Sequence, residues 1–393
     1  MASKFRIATY NAISARGLER FPAAAYAVAK ALADPDAILL RSHALQLSEV
    51  GGSVKAVGRA GAGVNNIPVV EMSKRGVPVF NAPGANANAV KELVIAGMLL
   101  AARNLPDALA FSQSIAQDGD AHARMEAEKK RFAGSELAGK TLGVVGLGAI
   151  GVRVANAAFA MGMRVVGFDP HMTVEGAWQL SSSVQRATSL EELYGLCDYV
   201  SVHVPLSDAT RGMLGASAVD AVKPGMVLLN FAREAIVDAV AIRTGLDEGK
   251  LGRYVCDFPV AELADHPRVI ALPHLGASTA EAEENCAVMV ADQLCEFLES
   301  GNVQHSVNFP NTRMARTGHA RICIANANRP NMIGQLTHIL GEAGLNISQM
   351  HNASRGELAY NLIDVDAAAP DSLIATITGI DGILSLRVIA ADA

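Results

Sequence analysis

The fold of this chain is decided by two stretches, Thr141-Leu-Gly-Val-Val-Gly-Leu-Gly-Ala-Ile-Gly151 and Val165-Val-Gly-Phe-Asp169. A short apolar strand runs into the pattern Gly146-x-Gly148-x-x-Gly151, a helix-forming segment follows, and a second strand ends on an acid. The first glycine permits a tight turn, the second lets a pyrophosphate approach the backbone, and the third lets the helix pack closely on the strand. Because a helix N-terminus also offers free N–H groups to phosphates, the pattern predicts a dinucleotide site.

The acid at the end of the second strand discriminates between dinucleotides. Asp169 follows the glycines by about 20 residues, where a carboxylate reaches the ribose hydroxyls of NAD. Its charge repels the 2′-phosphate of NADP, so NAD is the predicted cofactor. Glycine clusters also make ordinary structural turns, but strand, helix and acid in this order favour the cofactor site.

The composition argues against several classes of protein. A chain of 393 residues predicts two or three domains, and its net charge of −6 argues against nucleic acid as a partner. Its five scattered cysteines lack CxxC spacing, which indicates reduced thiols in a cytoplasmic protein and no metal site. The N-terminus shows no signal-peptide core, and the apolar run Leu93–Ala102 is too short for a membrane span, so no membrane partner is expected.

Apolar segments alternate with helix-forming segments along most of the chain. Strands are predicted at 5–10, 37–41, 54–57 and 77–80, and a second series begins at 141 and continues at 164–168, 198–204, 226–231, 253–257 and 268–272. A helix beginning near Asn88 connects the two series, and an amphipathic helix at 279–300 follows the second. This alternation is typical of α/β proteins with parallel sheets.

The C-terminal residues predict a different module. Residues 301–318 have linker composition. Beyond them we expect the order βαββαβ, a ferredoxin-like arrangement that binds a small effector or a second copy of itself. Its predicted elements are strands 320–325, 346–352, 358–364 and 383–389 and helices 331–343 and 370–378.

Two side chains after later strands suit the oxidation of a 2-hydroxy acid. Arg233 ends the strand segment Leu229-Asn-Phe-Ala-Arg233, and a planar guanidinium binds a carboxylate and a neighbouring oxygen in bidentate fashion. His274 follows the strand at 268–272, and a histidine suits a base that takes up a proton near neutral pH. The alternatives are a surface arginine and a packed structural histidine.

Acidic and basic groups could complete such a site. Asp257 and Glu262 both follow the strand at 253–257, and a carboxylate beside His274 would favour its charged form. Spacing does not decide between the two acids, and both could be solvated loop residues. Arg41, Arg59 and the run Lys129-Lys130-Arg131 could hold the anionic groups of a substrate, although the run also reads as a solvated face.

Together these motifs resemble the NAD-dependent D-2-hydroxyacid dehydrogenases over essentially the whole chain. The resemblance rests on the order of Arg41-Ser, Gly58-Arg-Ala-Gly-x-Gly-Val-Asn-Asn66, Gly146-Leu-Gly-Ala-Ile-Gly151, His203-Val-Pro-Leu, Asn230-Phe-Ala-Arg233, Asp257-Phe-Pro and Pro273-His-Leu-Gly-Ala-Ser-Thr279, completed by a C-terminal ACT-like domain. It implies a flavodoxin-like substrate domain at 1–98 and 279–310, a Rossmann-like NAD domain at 99–278 and a ferredoxin-like ACT regulatory domain at 319–393. The active site would occupy the cleft between the first two.

The resemblance also implies roles for individual residues. Arg233, Glu262 and His274 match the family's catalytic trio, which selects Glu262 over Asp257 as the partner of the histidine. The implied cofactor contacts are Gly146, Gly148, Ala149, Ile150, Gly151, Asp169, Phe231, Ala232, Asp257, Leu275, Gly276 and Ala277. The implied substrate contacts are Arg41, Arg59, Lys130 and Arg131.

Within the family, the resemblance points to members that oxidise D-3-phosphoglycerate to 3-phosphohydroxypyruvate, the first step of L-serine biosynthesis. Such members are homodimers or homotetramers, and serine is the implied effector, with Asn328 and Asn346 matching its contacts. Asn326 and Asn331 replace the histidine and glycine of the usual effector pattern, and Glu234 replaces a glycine after the catalytic arginine. Two other functions stay open: oxidation of another D-2-hydroxy acid, and NAD sensing by a regulator without catalysis.

Overall fold

The computed structural model describes residues 4–30 and 32–390 and divides into two compact units. The first unit comprises Met1–Asn86 with Ala280–Ala393, and the second comprises Ala87–Thr279. The division falls before the connecting helix rather than after residue 98, because that helix packs on the second unit's sheet and on the helix after the glycine turn. The ACT-like residues belong to the first unit.

The first unit contains a five-stranded parallel sheet in the order β2-β1-β3-β4-β5. Its strands are β1 (Phe5–Thr9), β2 (Tyr26–Lys30), β3 (Ala37–Leu40), β4 (Ala56–Arg59) and β5 (Val79–Phe80). This is the flavodoxin-like strand order. The central strand β3 is buried along its whole length, which explains its uninterrupted apolar sequence.

The second unit contains a seven-stranded parallel sheet in the order β12-β11-β10-β9-β6-β7-β8. Its strands are β6 (Thr141–Val145), β7 (Arg164–Phe168), β8 (Gln185–Arg186), β9 (Tyr199–Val202), β10 (Met226–Asn230), β11 (Leu251–Cys256) and β12 (Val269–Ala271). This is the Rossmann order with one more strand. Successive strands are placed on one side of β6 up to β8 and then on its other side from β9 to β12, so the strand order reverses between β6 and β9. Ligands bind beyond the carboxyl ends of the strands at such a reversal.

The ACT-like part forms a four-stranded antiparallel sheet in the order β14-β15-β13-β16. Its strands are β13 (Ala320–Ala327), β14 (Ile347–Arg355), β15 (Leu358–Val365) and β16 (Ile383–Ala390). With the two helices between them they give the expected βαββαβ order. The α-helices of the described chain are α1 (Ala15–Leu18), α2 (Val69–Lys74), α3 (Ala87–Ala102), α4 (Leu105–Ile115), α5 (Ala121–Glu128), α6 (Ala149–Ala160), α7 (Val174–Gln179), α8 (Leu190–Leu196), α9 (Ala216–Ala221), α10 (Ala239–Asp247), α11 (Ala280–Ser300), α12 (Met332–Glu342) and α13 (Asp371–Thr378).

The two central strands of the ACT-like sheet, β13 and β15, are buried on both faces within the first unit. Ile322 and Ile363 face the cluster formed with α12 and α13. Cys323 and Tyr360, on the opposite face, share a core with the flavodoxin-like sheet and with Phe297 of α11. The module is therefore packed onto the rest of its unit, where the sequence suggested a module joined by a linker.

The segment 301–318 is also part of this core, contrary to its linker composition. Val303 and Phe309 are fully buried, and Val303 pairs with Thr312 in both directions at 2.8 Å. The Val307 N–H donates to the carbonyl oxygen of Val79 at 2.8 Å, which attaches the segment to the edge of the flavodoxin-like sheet. Its polar residues satisfy the backbone groups of neighbouring strands, so polarity here does not mean solvent exposure.

A buried ion pair anchors the module at the end of α11. Arg321 and Asp364 are fully buried and form two hydrogen bonds, of 2.6 and 2.9 Å. Arg321 also donates to the carbonyl oxygens of Ser300 and Met314, each at 2.9 Å. Burial acts to raise the pKa of Asp364, but hydrogen bonds from Arg321 and Thr317 and the Arg321 charge outweigh it, so the pKa lies below its usual value.

Most predicted elements are present, and one clear miss is β2. Its surroundings, Pro22-Ala-Ala-Ala-Tyr-Ala-Val-Ala, are rich in alanine and favour a helix by local propensity. The strand forms because it pairs with β1 at the edge of the sheet, with Phe5 opposite Tyr26.

Within residues 4–30 and 32–390, no single helix is long and apolar enough to cross a membrane. Helices α3 and α4 reach that length and apolar character only when they are taken together, and the chain bends by 67° between them.

Candidate active site

The glycine turn after β6 has the geometry that each glycine predicts. Gly146 has φ of +87°, and a side chain there would meet the carbonyl oxygen of His203 at 2.8 Å. A Cβ on Gly151 would lie 1.9 Å from the carbonyl oxygen of Gly146, so α6 can approach the turn only without one. A Cβ on Gly148 would meet nothing within 4 Å, which leaves the backbone open at the position expected to face a pyrophosphate.

The turn is completed by an uncapped helix and an acid. No side chain caps α6, which begins after Gly148, so its first N–H groups stay available to an anion. The Asp169 carboxylate accepts from the N–H groups of Leu147 and His171, each at 2.8 Å, and thereby joins the end of β7 to the glycine turn. An open turn, free helix amides and a fixed carboxylate fit NAD.

A half-buried histidine supports the turn from the end of the neighbouring strand β9. The His203 N–H donates to the carbonyl oxygen of Val145 at 2.7 Å, and its ring Nε2 lies 2.9 Å from Ser201 Oγ. Burial lowers the pKa of His203 to about 3, so the ring is neutral at physiological pH. In the described structure Nδ1 has no hydrogen-bond partner.

Arg233 follows β10 in a turn shaped by a residue that sequence reasoning did not single out. The fully buried Asn230 donates from Nδ2 to the carbonyl oxygen of Arg233 at 2.9 Å and accepts the Ala232 N–H at 3.1 Å. Arg233 is exposed and donates to the carbonyl oxygen of Ala232 at 2.6 Å. Phe231 and Ala232 are buried side chains, so only their backbone is suited to the cofactor contact expected of them.

His274 is held in an unusual backbone conformation by Asp257. Its φ is +57°, in the left-handed region that non-glycine residues rarely adopt. Asp257 is 1% exposed, and its two carboxylate oxygens accept the N–H groups of Leu275 and Gly276, each at 2.7 Å. The His274 N–H donates to the Asp257 carbonyl oxygen at 3.1 Å. Asp257 therefore fixes the turn that presents His274, in addition to any contact with a cofactor.

Among the described residues, no hydrogen bond or ion pair joins the predicted His274–Glu262 pair. Glu262 lies on the short 3-10 helix Ala261–Leu263 and is exposed, and its carbonyl oxygen accepts from Arg243 at 2.6 Å. The His274 ring lies instead beside Phe258, with ring centroids 4.8 Å apart. Glu262 follows the carboxyl end of β11, and His274 follows the carboxyl end of the neighbouring strand β12.

The predicted substrate cations fall into two groups. In the first unit, Arg41 and Arg59 follow adjacent strands; the Arg59 Nε donates to the Arg41 carbonyl oxygen at 3.1 Å, and Arg41 pairs with Glu283 at 2.5 Å. In the second unit, Lys130 and Arg131 lie on the 3-10 helix Lys129–Phe132. The Arg131 guanidinium stacks over the rings of Phe111 and Phe132 at 4.6 Å and pairs with Glu128 at 2.6 Å.

The predicted effector residues lie at opposite ends of α12, Asn328 before its start and Asn346 after its end. Asn328 donates from its side chain to the Gly356 carbonyl oxygen at 3.0 Å and, with Arg329, lines a cavity of about 730 Å³. Asn346 is exposed and its N–H donates to Asp366 at 3.0 Å. Asn331 takes a φ of +64°, the backbone that the family's glycine adopts without strain.

Asn326 is committed to the interior of the ACT-like sheet. It is 1% exposed, its Nδ2 donates to the Ala327 carbonyl oxygen at 2.7 Å, and its Oδ1 accepts from Asn361 at 2.7 Å. Within residues 4–30 and 32–390, no three or more histidine, cysteine, aspartate and glutamate side chains are grouped to hold a metal ion.

Comparison with known proteins identifies the second unit and most of the chain. Residues 95–276 match the family described as D-isomer specific 2-hydroxyacid dehydrogenase, NAD binding domain. The chain is 33% identical to D-3-phosphoglycerate dehydrogenase of Haemophilus influenzae over 376 residues, 92% of this chain and 88% of that relative. It is 33% identical to the Escherichia coli K12 protein of the same name, over 79% of this chain and 75% of that relative. Among solved structures, NAD⁺-bound 3-phosphoglycerate dehydrogenase of Entamoeba histolytica matches with a TM-score of 0.62 and 26% identity, over 78% of this chain and 99% of that one.

Proposed function

The chain belongs to the D-isomer specific 2-hydroxyacid dehydrogenase family, and on that premise we propose that it oxidises D-3-phosphoglycerate to 3-phosphohydroxypyruvate with NAD. This reaction is the first step of L-serine biosynthesis. The proposal rests on one observation: the open glycine turn, Arg233 and His274 all follow carboxyl ends of strands in one parallel sheet whose strand order reverses at the turn. That edge is where α/β sheets bind ligands.

In this proposal each group at the sheet edge has one task. NAD, when bound, supplies the acceptor for the hydride that leaves C2. Arg233 binds the substrate carboxylate and the C2 oxygen, which directs the hydroxyl toward the base. His274 accepts the hydroxyl proton, and the Glu262 carboxylate stabilises the resulting imidazolium. Glu262 and His274 form no ion pair among the described residues, so we expect them to pair when the substrate binds.

The remaining parts of the chain supply the substrate's phosphate site and regulation. The substrate domain lies in the first unit, where Arg41 and Arg59 bind the phosphate. Residues 99–278 bind NAD, and residues 319–393 bind an amino-acid effector such as serine in the cavity lined by Asn328. The protein works as a homodimer or homotetramer in the cytoplasm, where its five free cysteines stay reduced.

The assignment of the base is tested by replacing His274. His274→Ala should lower kcat for NADH formation from D-3-phosphoglycerate by about 100-fold or more, since general base catalysis contributes 10²–10⁴-fold. NADH binding, followed by fluorescence, should change little. His122→Ala, at an exposed position on α5, is the matched control and should keep full activity. Near-normal turnover of His274→Ala would exclude it as the base.

The choice of substrate is tested with a panel of acids with and without a C3 phosphate. D-3-phosphoglycerate should be oxidised with the highest kcat/KM, and D-lactate and D-glycerate poorly. Full activity on the unphosphorylated acids alone would assign the chain to another member of the family. Tight NADH binding without turnover on any acid would instead support a sensor, and repeating the assay with added serine tests the effector.

A further inference from the structure

A cavity of about 400 Å³ lies within the first unit, between the ACT-like sheet and the flavodoxin-like part. Phe297, Cys323 and Tyr360 contribute one part of its wall, and Arg75 and Arg387 contribute cationic groups. None of these residues belongs to the proposed dehydrogenase site or to the effector cavity lined by Asn328. The volume lies within the range of small-molecule sites.

The two arginines of the cavity lack acidic partners. Arg75 donates to the Val50 carbonyl oxygen at 2.8 Å. Arg387 donates to the carbonyl oxygens of Leu298, at 3.0 Å, and Phe297, and its guanidinium stacks on the Phe297 ring at 4.3 Å. Over the described residues, neither guanidinium forms an ion pair with a carboxylate. The carbonyls at the end of α11 offset only about half of one charge, so the cavity carries net positive charge.

A third cation and a hydroxyl add to this polarity. Lys55 also lines the cavity, but its ammonium is paired with Asp36 at 2.6 Å and so contributes less. Ser53 Oγ is buried at the same wall and has no hydrogen-bond partner among the described residues. A buried hydroxyl without a partner is destabilising unless a ligand or water satisfies it.

The cavity is built where the two parts of the unit contact each other tightly. Ser385 Oγ donates to the Gly76 carbonyl oxygen at 2.9 Å, and Gly76 has φ of +68°. A Cβ on Gly76 would lie 2.5 Å from Ser385 Oγ, so the contact requires glycine. Arg75 precedes Gly76 and Arg387 follows Ser385 by two residues. The contact therefore holds one arginine from each part at the same cavity.

We propose that this cavity is a second ligand site, which binds a small organic anion through Arg75 of the flavodoxin-like part and Arg387 of the ACT-like sheet. The ligand carries a carboxylate or phosphate group, because guanidinium groups bind the planar or tetrahedral oxygens of these anions through paired N–H donors. The apolar wall of Phe297 and Tyr360 accommodates a short carbon skeleton. A ligand spanning both arginines links the ACT-like sheet to the flavodoxin-like part, which makes the site suited to regulation.

The test is calorimetric titration of the full-length chain with inorganic phosphate and, separately, with succinate, at low ionic strength. We expect Arg75→Gln to weaken binding of the preferred anion about tenfold or more, since hydrogen bonds to charged groups are the strong ones. The preferred probe tells a phosphate site from a carboxylate site. Arg313→Gln, at an exposed position of the same unit, is the matched control and should bind as the parent does.

Two further variants separate this site from the dehydrogenase site. Arg387→Gln should also weaken binding; if it fails to fold because Arg387 caps α11, the exposed Arg75 alone decides. Arg59→Gln, in the proposed substrate site, should leave the Arg75-dependent binding in place, whether or not the chain oxidises D-3-phosphoglycerate. The proposal is overturned if the parent binds neither probe, if Arg75→Gln binds like the parent, or if Arg59→Gln abolishes all binding.

Discussion

Asp257 offers the sharpest test of how the fold presents His274. Its buried carboxylate accepts two N–H groups at 2.7 Å, from Leu275 and Gly276, next to the left-handed His274. Hydrogen bonds to a charged group contribute about 1.5–3 kcal/mol each. Asp257→Asn keeps one acceptor oxygen but places an N–H₂ group against the second backbone N–H. The stability of the turn should therefore fall by about 2–4 kcal/mol. Because the left-handed conformation itself costs about 1–2 kcal/mol, His274 should then leave its position.

The expected result is a fall in kcat/KM of about 30-fold to 1000-fold, since 1.4 kcal/mol corresponds to a factor of ten. The fall should appear in kcat, and hydrogen exchange at Leu275 and Gly276 should speed up. Asp198→Asn is the control. Asp198 accepts the Thr141 N–H at 2.9 Å and pairs with Lys223, but it lies at the amino end of β9, whereas His274 follows the carboxyl end of its strand. It should lose stability and keep kcat. Unchanged kcat and exchange in Asp257→Asn would refute this reasoning, and a rise confined to the KM for NAD would favour a purely cofactor-binding role.

Three further predictions concern the cofactor turn and the core. Gly148→Ala should keep the thermal unfolding midpoint but weaken NADH binding about tenfold or more, whereas Gly151→Ala should unfold the turn; equal effects on binding and stability would contradict the steric argument. Burial lowers the pKa of His203 to about 3, so between pH 6.5 and 3 the unfolded state binds a proton that the folded state does not. Lowering the pH through this window should therefore reduce the free energy of unfolding, by about 2 kcal/mol at pH 5. His203→Gln should remove this pH dependence in urea denaturation curves. Arg321→Met should cost about 3–5 kcal/mol by leaving Asp364 buried and unpaired, and Arg321→Met with Asp364→Leu should recover only part of it, since the carbonyl oxygens of Ser300 and Met314 still lack their donor; a single variant as stable as the parent would show that the pair contributes little.

The sequence predicts best where a local steric rule acts. The glycines after β6 could be assigned individually because each is required by a contact within its own turn, such as the Gly151 Cβ position against the Gly146 carbonyl oxygen. Strands β6 and β7 could be predicted because their apolar runs are continuous and bounded by turn residues, whereas the short polar strand β8 carries no such signal.

The parts that could not be predicted depend on tertiary contacts. The hydrogen bonds of Asp257 to the turn after His274 arise because β11 and β12 end side by side, and no local pattern encodes that register. Asn230 is similar, since only the finished fold shows that its amide serves the backbone of Arg233. The polar composition of 301–318 misled for a related reason: its side chains bond to strand backbones that are remote in sequence.

The burial of β13 and β15 on both faces of the ACT-like sheet limits how this chain can be shortened. A stop codon near residue 319 would uncover the apolar surface of α11 and of the segment 301–318 that follows it. It would also leave the carbonyl groups that Arg321 now satisfies without donors. A chain that ends at this point should therefore be less stable than the full chain, because the ACT-like part and the flavodoxin-like part bury each other's apolar surface.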